Sequence, residues 1–253
     1  MKLNAYPTFP NAPITEAILD ITVELPEYID LKKLEEFHKH AIKQRFPEKQ
    51  VRQVLKATFQ FPKEKDPPTS IPTAGGPVGY LFRSSSENKV VQARLDGFSF
   101  NKLKPYESWK KFRDEGRELW ELYLDVAKPI RIRRISLRYI NRIEAPLPFK
   151  DFNEYILTNP QVAPELPQAL SNFFMHIQIP FEEQQAIATI IQTMEKPTES
   201  QKLPLIMDID VVQHANFIAD SFENIWDEFE KLRNIKNDIF FNSITDKAKE
   251  LFR

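Results

Sequence analysis

The sequence predicts an α+β fold in which an antiparallel, curved sheet carries long helices packed on one face. Alternating apolar strands come in runs and long amphipathic helices follow them, an order typical of antiparallel sheets covered on one side. The same order occurs twice. We therefore predict a tandem duplication of a β-α-β-β-β-α unit, with units at residues 1–128 and 129–253 that are closely packed or joined as one domain.

Two nearly equal offsets relate the two halves. An offset of 116 places Pro13 on Pro129 and aligns two strands that both alternate with period two. An offset of 117 aligns the aromatic residues of the two long helices, placing Trp109 on Trp226, Phe112 on Phe229 and Tyr123 on Phe240. The alternative is that any two amphipathic helices can be aligned on a few aromatic residues.

The first unit begins with an alternating strand at 17–25 and a helix at about 31–46. Asp30 precedes that helix and is a suitable N-cap. A strand at 51–61 follows. Residues 62–77 contain five prolines and the Gly75-Gly76 pair, which predicts a long loop.

The rest of the first unit is a hairpin and a long helix. Strands are predicted at 80–83 and 90–100, and a change of apolar parity at Gly97 predicts a β-bulge. A helix at about 106–127 ends before Pro129, because proline cannot donate the helical hydrogen bond. The second unit has predicted strands at 130–143, 172–180, 185–195 and 204–213, and helices at about 150–157, 221–242 and 245–252.

Composition excludes several classes of function. The chain has 35 basic and 36 acidic residues, a balance that disfavours a general nucleic-acid or membrane-surface binder. It has no cysteine, which excludes disulfides and thiolate chemistry. Its five glycines lie in the first half and form no phosphate-binding loop, so no nucleotide cofactor is predicted. With no signal peptide or membrane-spanning stretch in the sequence, we expect no membrane partner and a cytoplasmic location.

Charge is separated along the chain. Residues 128–150 contain seven basic residues and one acidic residue, whereas residues 151–230 contain fourteen acidic and two basic residues. Arg134, Arg138 and Arg142 are predicted to project from the strand face opposite the core. Because arginine binds carboxylates and phosphates in a bidentate manner, they are candidates for an anion site. The alternative is that they pair with Asp208 and Asp210 of a neighbouring strand.

Further candidates lie on other strands. Asp208, Asp210 and His214 share one face and carry metal-ligand groups, but they span too much strand to meet one ion, so no metal is predicted. Arg94 and Asp96 share a strand face and could line a pocket, although a surface ion pair explains them equally well.

Several segments together resemble an uncharacterised, sporadically distributed prokaryotic protein family of about this length. They are Pro13–Ala17 (PITEA), Val91–Phe98 (VQARLDGF), Tyr106–Trp109 (YESW), Leu137–Arg142 (LRYINR), Leu166–Leu170 (LPQAL) and Ser243–Lys247 (SITDK). The resemblance covers nearly the whole chain. It implies no assigned activity, and the patchy distribution is compatible with mobile or defence-linked systems.

Taken together, the patterns favour a non-catalytic binding protein that recognises a partner protein or a small ligand. One alternative is an enzyme acting on a small anionic substrate, with Arg138 and Arg142 as anchors and Asp208, Asp210 or His214 as acid/base groups. Another is a nucleic-acid-binding saddle that uses Arg134 and Arg138, which the acidic region at 151–230 disfavours. The oligomeric state is left open.

Overall fold

Nine strands form a single antiparallel sheet within the residues that the structure describes, which are 6–60, 69–197 and 201–253 of a computed structural model. The strands are β1 (Ile14–Glu24), β2 (Glu48–Gln60), β3 (Thr69–Ser84), β4 (Lys89–Arg94), β5 (Gly97–Leu103), β6 (Arg131–Pro146), β7 (Phe174–Phe181), β8 (Ala186–Met194) and β9 (Lys202–Ile218). Their order across the sheet is β2-β3-β4-β5-β1-β6-β9-β8-β7. The α+β class and the antiparallel sheet are therefore confirmed.

The first strands of the two halves lie side by side at the centre of the sheet. β1 and β6 pair antiparallel, and Asp20 lies opposite Ser136. On the other side of β1 lies β5, the last strand of its half, and on the other side of β6 lies β9. Each half therefore runs outward from the centre in the same order, with β2 as an additional strand at one edge.

Four α-helices follow the strands within the described part of the chain. They are α1 (Leu31–Glu36), which continues as a π-helix at Phe37–Ile42, α2 (Trp109–Ala127), α3 (Ile225–Ser243) and α4 (Asp246–Glu250). Asp30 caps α1 by accepting a hydrogen bond from the Lys33 amide at 2.8 Å, as predicted. Ser108 caps α2 through the Lys111 amide, which explains why that helix begins later than predicted.

The helices pack against one face of the sheet. Phe82, Val91, Phe100, Leu19 and Leu137 are successive cross-strand partners and so share a face. The Phe37 ring contacts Phe82, and the Phe112 ring of α2 stacks on Phe100 at 5.2 Å. Lys236 of α3 lies over Tyr139 on the same face of β6. The core therefore fills the space between this face and the helices.

Three details of the predicted unit are wrong. The predicted strand at 90–100 is two strands joined by a tight turn at Leu95-Asp96, so the parity change at Gly97 reflects a chain reversal and not a bulge. The first half therefore has four strands between its helices. At 150–157 the structure has a single 3-10 turn, Phe152–Glu154.

The predicted loop at 62–77 is only partly testable, because residues 61–68 lie outside the described part of the chain. The loop prediction is wrong for the rest of this range, because the residues from Thr69 onward belong to β3. β4 pairs with β3 only from Gly79 to Ser84, so the earlier part of β3 pairs with β2 alone. Prolines are tolerated there, since an edge backbone needs no second partner.

Candidate functional site

The sequence-predicted site residues gather on and around the sheet face opposite the helices, which we call the polar face. Arg138 lies opposite Asp210 and Arg134 lies opposite His214 in the pairing of β6 with β9. Asp208 and Arg142 continue the same face along these strands. Arg94 lies on β4 and Asp96 lies in the turn that follows it, not on the strand.

Asp20 organises the first-half side of the polar face. Its carboxylate accepts a hydrogen bond from Arg94 at 2.7 Å and one from Arg134 at 3.0 Å. Arg94 is only 7% exposed, and its Nε also donates to Asp96 at 2.9 Å. Arg94, predicted to line a pocket, and Arg134, predicted for the anion site, are therefore both paired with one carboxylate that the sequence reasoning missed. Asp20 alternates along β1 with Ile18 and Thr22 on the face opposite the core, and this position in the sequence was the signal that could have found it.

The arginines of β6 are paired as well. Arg138 donates from Nε and a terminal nitrogen to the two oxygens of Asp208, with the Nε contact at 2.8 Å. This fork raises the pKa of the Arg138 guanidinium, against the opposing effect of its burial. Arg142 pairs with Glu144 at 2.6 Å and with Glu195. The polar face thus has the ion-paired arrangement that the sequence offered as the alternative to an open anion site.

The remaining predicted residues do not complete a reactive centre. Asp210 accepts a hydrogen bond from Ser136, and burial raises the pKa of its carboxyl group. His214 is exposed near the end of β9. Across the described residues, no group of three acidic or histidine side chains is placed to hold a metal ion.

A second site lies on the helix side of the sheet, in a cleft of about 290 Å³ that we call the Lys236 pocket. Its walls are residues 6–14, the start of α2, the middle of β6 and the last turns of α3. Both halves of the chain contribute to it. The polar side chains in its lining are Tyr6, Thr8, Tyr106, Glu107, Ser108, Trp109, Lys110, Tyr139, Asn141, Arg233, Lys236 and Asn237.

Lys236 is the most unusual residue of this pocket. It lies on the buried stripe of α3, beside Leu232 and Phe240, and is 9% exposed. Its Nζ lies 4.0 Å from the centre of the Tyr139 ring. No carboxylate among the described side chains forms an ion pair with it. Burial, and then repulsion from Arg233, lowers the pKa of Lys236 to about 7, while the ring face opposes this by favouring the cation.

Two tyrosines provide hydroxyl groups at the pocket. The Tyr106 and Tyr139 hydroxyls are 2.9 Å apart and hydrogen-bonded to each other. Burial raises the pKa of both phenols, so both keep their protons. Because one hydroxyl donates to the other, one of the two O–H groups is available to a ligand.

A network around Glu230 fixes the wall formed by α2 and α3. Glu230 accepts hydrogen bonds from the Trp109 indole and from Arg113, each at 2.6 Å. The Arg233 guanidinium lies 5.8 Å from the centre of the Trp109 ring and 3.5 Å from Glu230. A second positive charge is therefore held beside Lys236.

The segment at 6–13 closes the other side. The Tyr6 ring stacks on Phe241 at 4.3 Å, and its hydroxyl bonds to Asp238. The Asn11 amide donates to the Phe252 carbonyl at 3.0 Å. These contacts hold the N-terminal segment against α3 and the C-terminus, so the pocket depends on contacts between the two ends of the chain.

Another groove of the described surface is a weaker candidate. It measures about 490 Å³ and is lined by Gln185, Gln213, Glu228 and Lys231, among others. Glu228 already pairs with Lys231 at 2.7 Å and with Gln213 at 3.0 Å. The charges of Glu228 and Lys231 are therefore satisfied within the protein, unlike that of Lys236.

The sequence reasoning missed the Lys236 pocket. A lysine between apolar residues on the buried stripe of a helix was a visible signal, because charged residues are rarely buried without a partner. The fold and site define an α+β protein with a partly open pocket, lined by both halves, that contains a buried lysine. No family model matches the chain, and a search of curated proteins gave no match either.

Proposed function

We propose that this protein is a binding protein that takes a small anionic ligand in the Lys236 pocket. The observation that carries this proposal is a buried ammonium group with no carboxylate partner at a cavity wall. A buried cation costs several kcal/mol unless an anion compensates it, on the order of the penalty for any unpaired buried charge. A bound carboxylate or phosphate would remove that penalty.

The lining of the pocket suits such a ligand. Arg233 offers a second cation, because it makes only a long contact of 3.5 Å to Glu230, which is already bound by Trp109 and Arg113. The Tyr106–Tyr139 pair offers a hydroxyl donor. Phe240 and Phe241 supply apolar surface. A cavity of about 290 Å³ lies at the small end of ligand sites, which favours a compact anion over a nucleotide or a peptide.

The polar face is less suited to anions. Its arginines are held by Asp20, Asp208, Glu144 and Glu195, so an incoming anion would have to displace a carboxylate. The same pairing weighs against the alternatives in which Arg134, Arg138 or Arg142 anchor a substrate or a nucleic acid.

We also propose that the halves arose by tandem duplication. The outward order β1, β5, β4, β3 in one half and β6, β9, β8, β7 in the other supports this. At an offset of 117, Lys236 of α3 takes the place of the fully buried Leu119 of α2. A later specialisation of one copy explains why the cation occurs once. Related sequences whose halves show no similarity at these offsets would count against the duplication.

Thermal unfolding with a panel of small carboxylates and phosphates tests the binding proposal. We expect at least one anion to raise the Tm of the wild-type protein and to leave Lys236→Met unchanged. Lys231→Met is the matched control, because Lys231 lies on the same helix, is exposed and lines the other groove. Equal responses of wild type and Lys236→Met would overturn the proposal.

A further inference from the structure

We propose that Lys236 forms a reversible imine with a small carbonyl compound that also carries an acid group, such as a 2-oxo acid. This inference rests on the proposed anion-binding function and names its ligand class. Three features of the pocket support it beside the Lys236 amine, which lies 4.0 Å from the centre of the Tyr139 ring. They are a cleft of about 290 Å³, a second cation at Arg233 and a hydroxyl pair at Tyr106 and Tyr139 in the same lining.

An amine reacts with a carbonyl only in its neutral form. An exposed lysine with a pKa of about 10.4 is almost entirely charged near neutral pH. Lys236 is instead enclosed by protein, and burial together with Arg233 lowers its pKa to about 7. About half of the Lys236 side chains are then neutral amines at neutral pH.

Among the charged groups of the pocket, the Arg233 guanidinium favours this state by repulsion. Arg233 lies one turn earlier on α3, and the start of α2 contributes Lys110 and Glu107. The same lining contains three phenols: Tyr139 of β6, Tyr106 just before α2, and Tyr6 of the N-terminal segment. Arg233 is placed to bind the acid group of the ligand, which brings the neighbouring carbonyl carbon toward the amine.

The chemistry is balanced without an oxidant or a reductant. The lone pair of the Lys236 nitrogen attacks the carbonyl carbon, and a C–N bond forms as the carbonyl π bond breaks. A proton passes from nitrogen to oxygen to give a carbinolamine. The hydroxyl group then leaves as water after protonation, and the nitrogen loses its remaining proton as the C=N bond forms. The free O–H of the Tyr106–Tyr139 pair is a hydrogen-bond donor to that oxygen.

Borohydride trapping on the full-length protein tests the inference. The protein is incubated with pyruvate near neutral pH, reduced with borohydride and mapped by peptide mass spectrometry. We expect a single major adduct on Lys236, formed about tenfold or more faster than on exposed lysines because of its larger neutral fraction. An adduct spread over the exposed lysines, or none at Lys236, would overturn the inference.

Two further probes separate this inference from the binding proposal. Lactate has the acid group without the carbonyl, and propanal has the carbonyl without the acid group. A Lys236-dependent rise in Tm with lactate, but no trapped pyruvate, leaves the binding proposal standing and removes the imine. If propanal is trapped as fast as pyruvate, the amine is reactive but the acid group adds nothing to the reaction. That result would remove the anion site.

Two variants test whether Lys236 is the reactive amine. Lys231→Met should keep the full adduct, and Lys236→Arg should lose it while keeping the charge of the pocket. Because Lys236→Arg keeps a cation, its retention of the lactate response would show that the pocket remains folded. An unchanged adduct yield in Lys236→Arg would sink the assignment of the reactive amine.

Discussion

The Lys236 ammonium of α3 lies 4.0 Å from the centre of the Tyr139 ring of β6. This contact joins a helix to the central pair of strands across the pocket. An aromatic face stabilises a cation by roughly 2 kcal/mol when both are desolvated, which is less than the cost of removing the charge from water. The balance leaves Lys236 with a lowered pKa and a measurable influence on stability.

The stability of the wild-type protein should rise with pH relative to Lys236→Met. Burial lowers the pKa of Lys236 to about 7 in the folded chain, whereas the unfolded chain has the ordinary value of 10.5. The unfolded state therefore binds more protons between these values, and stability rises with pH there. The penalty is fully present below pH 7 and disappears above the unfolded pKa.

We expect Lys236→Met to be the more stable protein at pH 6, by on the order of 5 kcal/mol, and the difference to fall to about 1 kcal/mol near pH 10. Urea unfolding of both proteins across this range measures the effect. Lys231→Met should show no such trend, since its ammonium is exposed. A constant difference between wild type and Lys236→Met would contradict the lowered pKa.

Asp20→Asn should destabilise the sheet by about 3 kcal/mol, because it leaves the buried Arg94 without its main partner. Asp96→Asn is the matched control. Asp96 bonds to the same arginine, but its side chain is 74% exposed, so its loss should cost less than about 1 kcal/mol. Equal losses in chemical denaturation would show that Asp20 does not organise the polar face.

Gly97→Ala should unfold the turn between β4 and β5. Gly97 has φ of +157°, and an added Cβ would lie 2.2 Å from the Ile21 carbonyl oxygen. Since backbone must shift, we expect a loss of about 2–4 kcal/mol. Gly76→Ala meets nothing within 4 Å and should change stability by less than about 1 kcal/mol. If Gly97→Ala unfolds at the same urea concentration as the wild-type protein, the close approach of Gly97 to the Ile21 carbonyl is refuted.

Tyr106→Phe should cost about 1–2 kcal/mol, since the buried Tyr139 hydroxyl loses its partner. The exposed Tyr28 gives the control, and Tyr28→Phe should have no effect on the urea midpoint. Tyr106→Phe should also slow the trapping of pyruvate on Lys236. Full stability together with an unchanged trapping rate would mean that the hydroxyl pair plays no part at the pocket.

Local patterns allowed much of the fold to be predicted. Alternation placed Leu19 and Leu137 on the buried face, and Asp30 marked the start of α1, because side-chain periodicity and capping depend on neighbours in sequence. Proline content misled the prediction at Thr69–Pro77. Whether a strand tolerates proline depends on which strand lies beside it, and that is a tertiary property.

The same distinction holds for the sites. The sequence by itself determined the charges, the face on which each β6 arginine projects and the aromatic stripes of α2 and α3. Only the tertiary structure decided that Asp20 neutralises Arg94 and Arg134, and that Lys236 faces a cavity beside Tyr139. The physical reason is that the free energy of a charge depends on its solvation and its partners, which here come from segments more than seventy residues away in sequence.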